Sequence, residues 1–495
     1  MGLYDFTFYE MIRRNGRLFG SRTAWIEADN GRRIGFAELH DRVVRLAAGL
    51  RDCGMQKGQR IGVLGQNSLE YFLVYGAAAA LGAIVLPVNW RLSAEEALFN
   101  LEDGSPTVLL ADGAYQAMLD ADGSRLPSVR HRFTLCGQGA WPPLTELGTD
   151  RGMDPPPVSA DDGLVIIHTA AVAGRPRGAL LSHANLLCAN LHWQCRLQIE
   201  PSDVHLNLLP LFHVGGLFLA AGSFHAGALN INMRKFDAAQ AAALIETYRV
   251  TLLFDFSPIL GSILEVAGRD LSSLRAVTGL DTAETIEAFQ RRTGGTFYAM
   301  YGQTETSCIA TYGPYDARPG SAGRPIALAD LRLVDDHDNP VPAGAVGEIT
   351  VKGPMVFKGY WNLPGDNTHA FRGGWHHTGD LGRLDEDGFL WYAGRKAEKE
   401  LIKPGGENVY PAEVEKAILA HPAVAETVVF GVPDPKWKEG IKAVCVLKPG
   451  HSLTAEALVA FVGERIARYK KPQYVDFVDT LPRQEIGRAS CRERV

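Results

Sequence analysis

Between Phe36 and Ala111, apolar strands and helix-periodic stretches alternate at short intervals, and this alternation narrows the fold more than any other feature. Phe36 to Leu50 carries apolar residues at helical spacing. Arg60-Ile-Gly-Val-Leu64 reads as a strand, a helix is expected from Ser68, and Ala83 to Val88 reads as a buried strand containing Pro87. A further helix is expected over Ala94 to Glu102 and a strand over Thr107 to Ala111. Strands joined through helices pair in parallel, which calls for a sheet covered by helices on both faces. Gly62-Val-Leu-Gly65 is not a dinucleotide-binding turn, because no third glycine and acidic partner follow at the right places.

The rhythm breaks at 137–160, a stretch rich in Gly, Pro and Asp that reads as a loop. A second α/β run extends from Leu164 to about Tyr301. From Leu331 to Tyr360 the pattern shifts to short strands and turns. A last segment begins near Gly394, with helices expected over Ala412–Ala420 and Ala455–Ala467 and strands over Glu426–Gly431 and Lys442–Leu447. The expected fold is α/β: a large N-terminal domain, residues 1–394, with parallel βαβ sheets and a small β-rich subdomain. A small α/β C-terminal domain, residues 395–484, follows. The chain's 495 residues are more than one hydrophobic core normally serves.

Composition excludes several functions. Hydrophobic residues at 46% and charged residues at 21% are those of an ordinary soluble protein, and a net charge of −6 disfavours non-specific nucleic-acid binding. The seven cysteines form no CxxC pair, which points to a reducing, cytoplasmic setting. His376 and His377 are adjacent but lack a second ligand pair at zinc spacing. No signal peptide is expected at the N-terminus. Two long uncharged stretches, Tyr71–Val88 and Asn207–Asn232, are interrupted by Gly82 and Pro87, and by Pro210, His213 and His225. The first reads as a helix and a strand and the second as a buried loop and strand, so no transmembrane segment is expected.

Three stretches suggest chemistry. In Asp162 to Asn185 an apolar strand, Leu164–Ile167, feeds a small-residue loop with two glycines and two arginines, and a helix follows from Ser182. Such a loop can offer backbone N–H groups and cations to phosphate, although a plain surface turn would look similar. Tyr301-Gly-Gln-Thr-Glu305 places a carboxylate beside a hydroxyl at a strand end, a setting that suits Mg²⁺. Trp375-His-His-Thr-Gly-Asp380 supplies another carboxylate in an expected turn, with Arg395 following the strand Phe389–Tyr392. Aspartate can hold a ribose diol and arginine a phosphate.

With Leu86-Pro-Val-Asn-Trp-Arg-Leu92, Leu209-Pro-Leu-Phe-His213, Gly347-Glu-Ile, Gly359-Tyr-Trp361, Gly394-Arg395 and Gly405-Gly-Glu-Asn-Val-Tyr-Pro411, these motifs occur in a characteristic order. From about Phe36 to Arg483 the chain resembles the adenylate-forming superfamily: acyl-CoA synthetases, adenylation domains and firefly luciferase. The resemblance implies an acyl-CoA ligase that uses ATP, Mg²⁺ and coenzyme A on a small-molecule carboxylic acid, with a mobile C-terminal domain and a possible homo-oligomer. It implies Glu305 for Mg²⁺, Thr304 on the α-phosphate, and Tyr301, Gly302, Gln303 and Gly279 on the adenine side. Thr169, Gly174, Arg177 and Gly178 would form the phosphate loop. Asp380 would hold the ribose hydroxyls, Arg395 the ribose or phosphate, and Tyr392 the nucleoside. His213 would stand between acyl pocket and nucleotide, with a satisfied core histidine as the alternative. Lys403, Gly405 and Gly406 would serve thioester formation.

The chain departs from that pattern in places. Ala170, Ala171, Val172 and Ala173 stand where the family carries Ser, Gly, Thr and Thr, and Arg177 replaces a lysine. The hinge falls on Ala397 or Lys399. Gly487-Arg488 lies near an implied glycine–lysine pair, and weak adenylation is expected from a missing lysine. Residues 485–495 back-translate to a sequencing-adapter read and are expected to be a non-native tail. Bulky apolar residues over Leu211–Leu219 and Phe254–Leu260 favour a hydrophobic fatty or aromatic acid. The alternatives are a non-catalytic nucleotide- or acyl-binding homologue and an adenylation enzyme for a carrier protein.

Overall fold

The computed structural model describes residues 5–149, 152, 154–172, 175–396, 401–407, 409–435 and 437–481. They fall into two compact units. One holds Met1–Trp90, Leu101–Ile167 and Gly178–Gly394, and the other holds Arg91–Asn100, His168–Arg177 and Arg395–Val495.

The largest sheet has nine strands. Its middle is parallel and runs Thr296–Tyr301, Ala276–Leu280, Leu252–Phe256, Val204–Asn207, Leu229–Asn232, Thr23–Glu27, in that spatial order. Antiparallel strands Thr311–Pro314 and Arg33–Gly35 flank it, as expected when hairpins close the edges of a βαβ sheet. A seven-stranded sheet is built around Ile84–Val88, Arg60–Leu64 and Val108–Ala111, again parallel. Between Arg60–Leu64 and Ile84–Val88 runs the helix Leu69–Leu81. Ser68 caps it by accepting from the Tyr71 N–H, and Gly82 ends it at φ +65. Every residue of that helix is buried, so its sequence shows no polar face. The β-rich subdomain is a four-stranded sheet that includes Asp330–Val334, Val346–Lys352, His376–Leu384 and Leu390–Arg395.

Within the second unit, Val424–Asp434 and Lys438–Leu447 form a long antiparallel hairpin, with Tyr474–Phe477 parallel to its second strand. The helices Pro411–Leu419 and Ala455–Gly463 share an apolar cluster with this sheet through Val414, Ile418, Leu458 and Val462.

Several expectations need correcting. Asn207–Asn232 is not simply loop and strand, because a helix, Val214–Ala226, fills its middle. That helix is buried from Val214 to Phe224 and so lacks the periodic polar face that marks most helices. The strand expected to end at Ile167 runs on to Val172, and a second strand, Arg175–Ser182, lies beside it, so most of the expected phosphate loop is extended chain. Thr378 and Asp380 lie in the strand His376–Leu384 rather than a turn, with Gly379 at φ +66 where the register with Val346–Lys352 slips. The last helix stops at Gly463, and the strand Tyr474–Phe477 was not anticipated. Among the described residues no helix is long and apolar enough to cross a membrane.

Candidate active site

The parallel strands of the nine-stranded sheet end together, and their carboxyl ends carry much of the expected site. In open α/β sheets this edge is where ligands bind. Asp255 pairs with Gly279 and Gly279 with Ala299, so the three strands end within a residue of one another, at Phe256, Leu280 and Tyr301. Gly279 has φ +148, and a Cβ there would sit 1.8 Å from the Asp255 carbonyl oxygen, so only glycine fits.

Tyr301 ends its strand, and Gly302–Glu305 turns away from it. A Cβ on Gly302 would lie 2.2 Å from the Cys308 carbonyl oxygen, so the turn closes against its own return. Ser307 and Cys308 hold φ +55 and +76, uncommon for residues with side chains. The Ser307 hydroxyl ties the turn down by donating to the Met355 carbonyl at 2.6 Å. Thr304 and Glu305 are buried, and one Glu305 carboxylate oxygen accepts from the Tyr360 hydroxyl at 2.8 Å.

Asp380 sits in this neighbourhood, 2% exposed, and the residues converging on it belong to distant motifs. Its Oδ2 accepts from the Tyr301 hydroxyl at 2.9 Å and from the Gln303 amide at 2.5 Å, while that amide also donates to the Thr378 carbonyl at 3.0 Å. Tyr392, half exposed, lies with its ring 6.3 Å from that of Tyr301. The two motifs expected to share a nucleotide therefore meet through hydrogen bonds and a ring contact.

His213 caps the helix Val214–Ala226. Its Nδ1 accepts from the Gly215 N–H at 3.2 Å, which in the neutral ring leaves the proton on Nε2. The turn before it is fixed from far away in sequence. The Asn67 amide donates to the Leu209 and Met233 carbonyls and its oxygen accepts from the Leu211 N–H, while the Tyr75 hydroxyl donates to the Leu211 carbonyl at 2.9 Å.

In the second unit the Thr169 hydroxyl donates to the Arg177 carbonyl at 3.3 Å across the paired strands. Lys403 is exposed, and its backbone N–H donates to Glu439 at 2.7 Å. Gly405 has φ +59, and its N–H donates to the Trp437 carbonyl at 3.2 Å. Gly405 and Gly406 lie in a short 3₁₀ turn, and Arg395 ends the strand Leu390–Arg395. Gly178 is buried, and its carbonyl accepts from the Trp361 N–H at 2.7 Å in the first unit. Gly174, Ala397, Lys399, Gly487 and Arg488 lie outside the described residues, as does the tail 485–495.

The AMP-binding enzyme family matches residues 12–361, and the AMP-binding enzyme C-terminal domain matches residues 413–488. The chain belongs to the AMP-binding enzymes. An indoleacetate–CoA ligase from Aromatoleum aromaticum is 37% identical to it, covering 97% of this chain and 96% of that one. A Rhodopseudomonas palustris structure described as a long-chain-fatty-acid CoA ligase is 46% identical, with a TM-score of 0.77, over 80% of this chain and 100% of that one. The o-succinylbenzoate CoA synthetase of Bacillus subtilis, 28% identical, superposes with a TM-score of 0.86 over 98% of both chains. These relatives place the chain in the acyl-CoA ligase branch of the family.

In this AMP-binding enzyme some supporting residues escaped the sequence reading. Glu348, 3% exposed, accepts from the Gly379 N–H at 2.9 Å through one oxygen. Its other oxygen faces Arg372 at 3.1 Å and His377 Nδ1 at 3.2 Å. Asp338, Glu348 and His377 bring three potential metal-ligand atoms within 4.8 Å of one another. The Arg372 guanidinium bridges both carboxylates, so a cation is already built into the cluster and its role is structural. The Gly347-Glu-Ile motif was the visible signal for Glu348. Asn67 and Tyr75 gave none, because their partners lie more than a hundred residues away.

Proposed function

We propose that this chain joins a hydrophobic fatty or aromatic acid to coenzyme A through an acyl-adenylate made from ATP. The single observation that carries the reading is Asp380, a buried carboxylate aimed by Tyr301 and Gln303 from a second motif. A fixed acceptor of this kind suits a ribose diol, because its hydrogen bonds are arranged before the nucleotide arrives. Tyr392 and Tyr301 provide ring faces for the nucleoside, with Gly279 and Gly302 assigned to the adenine side, where only glycine lets the backbone close on itself. Arg395 serves the ribose or phosphate.

A free carboxylate is a poor acyl donor. Attack of its oxygen on the α-phosphorus of ATP forms the mixed anhydride and expels pyrophosphate, and that transition state needs its phosphate charge balanced. Thr304, Thr169, Arg177 and Gly178, together with Gly174 on the strength of the sequence motif alone, are assigned to supply donors and a cation. Glu305 fits Mg²⁺, which is usually held by one or two carboxylates together with substrate phosphates. Bound there, the ion would neutralise phosphate charge, while Tyr360 keeps the carboxylate oriented. His213 separates acyl group from nucleotide. The CoA thiolate then attacks the acyl carbon and releases AMP, a step assigned to Lys403, Gly405 and Gly406.

A second reading, a non-catalytic nucleotide- or acyl-binding homologue, draws support from the loss of hydroxyls at Ala170, Val172 and Ala173. The deciding experiment is calorimetric titration of AMP into the wild type and Asp380→Ala. The substitution is expected to weaken binding by about 1–3 kcal/mol, the scale of a lost hydrogen bond to a charged group. Equal AMP affinity in a folded variant overturns the assignment of Asp380.

A further inference from the structure

Inside the first unit, six rings form a continuous series. It begins at the carboxyl edge of the nine-stranded sheet, where half-buried His213 meets Phe256 edge-on, centroids 6.2 Å apart. Phe256 meets Phe254 at 5.1 Å, and Phe254 meets Trp193 at 6.0 Å. Trp193 meets Tyr312 edge-on at 5.4 Å, and Tyr312 stacks on Tyr298 at 5.3 Å.

The register explains the layout. Phe254, Thr278 and Tyr298 are lateral partners on three adjacent parallel strands, so their side chains share one face of the sheet. Phe256 lies two residues beyond Phe254 on that face, and Tyr312 pairs with Met300, two residues beyond Tyr298. Thr278 is thus a small residue between aromatic neighbours. The Trp193 indole touches Phe254 on one side of it and Tyr312 on the other, and so spans the gap. Gly215, in the first turn of the helix after His213, leaves room for the Phe254 ring, which would lie 2.6 Å from a Cβ there.

Trp193 is fully buried, yet its indole Nε1 has no hydrogen-bond partner among the described residues. A buried donor without an acceptor costs stability, so folding alone favours phenylalanine at this position. What the indole adds is breadth, enough to close the space between Phe254 and Tyr312.

We propose that Trp193 sets the depth of the acid site, and that the acids it admits are flat aryl acids with a short link to the carboxylate. The inference rests on the acid–CoA ligase reading above. The aryl ring lies along half-buried Phe256, which buried Phe254 and Trp193 back in turn, and its carboxylate lies beside His213. A long alkyl chain has to displace Trp193 to enter.

The test measures pyrophosphate release by the full chain with phenylacetate, indole-3-acetate, dodecanoate and palmitate, in the wild type, Trp193→Phe and Trp193→Ala. The wild type is expected to favour the aryl acids at least tenfold in kcat/KM. Trp193→Ala is expected to cut that preference at least tenfold, chiefly through a lower KM for the alkyl acids, and Trp193→Phe to shift it less. AMP affinity is expected to stay constant across the three, which separates a pocket effect from general damage. If Trp193→Ala does not fold, Trp193→Leu takes its place. A wild type that uses palmitate as well as the aryl acids, or a folded variant with an unchanged preference, overturns the inference and leaves the ligase reading standing. Absence of pyrophosphate release with every acid instead counts against the ligase reading itself.

Discussion

Glu348 uses both carboxylate oxygens, one on the Gly379 N–H and the other toward Arg372 and His377. The first bond holds the slipped backbone immediately before Asp380. Replacing Glu348 with glutamine removes the charge facing Arg372 and one of the two acceptors. Glu348→Gln is expected to lower unfolding stability by about 1–3 kcal/mol, the cost of leaving a buried polar partner unsatisfied. It should also weaken AMP binding, because Asp380 loses its fixed position. Thermal unfolding and AMP titration on one sample check both, and a destabilised variant with full AMP affinity would show that Glu348 acts only on the fold. Tyr301, Gln303 and Asp380 were legible as members of ordered motifs. Their mutual contact was not, because 79 residues separate Tyr301 from Asp380 and only the folded strands bring them together.

At the scale of elements, alternation revealed the strands Arg60–Leu64, Ile84–Val88 and Val108–Ala111 and the helix between the first two. It failed at Val214–Ala226, which has no polar stripe to mark its period, whereas the equally buried Leu69–Leu81 was legible from its alanine run and the break at Gly82. The central strands carry a further property that sequence alone does not expose. His205, buried in Val204–Asn207, pairs with Asn230, and burial lowers its pKa to about 4. His183, at the start of His183–Leu197, is likewise lowered to about 4, first by burial. Both rings fold neutral, whereas the unfolded chain takes up protons from about pH 6.5 downward. The unfolded state therefore binds more protons between about pH 6.5 and 4, and stability falls as pH falls through that window, by up to about 3 kcal/mol per ring. Urea midpoints at pH 7 and pH 5 measure the loss, and His205→Gln is expected to shrink it. An identical loss in the variant would contradict the assignment to His205.

For the whole molecule, the large α/β domain with its β-rich subdomain and the separate C-terminal segment were readable from the succession of periodicities. The strand pair Gly163–Val172 and Arg175–Ser182 was not, since a run of small residues satisfies a loop and an extended chain equally well. The central claim concerns chemistry: one chain activates an acid on ATP and hands it to a thiol. The most direct measurement is the product balance when the full chain is incubated with ATP, Mg²⁺, CoA and indole-3-acetate or dodecanoate. The account predicts acyl-CoA, AMP and pyrophosphate in equal amounts, with AMP formation lost in Asp380→Ala. Formation of ADP and phosphate, or acid-independent turnover of ATP, would contradict it.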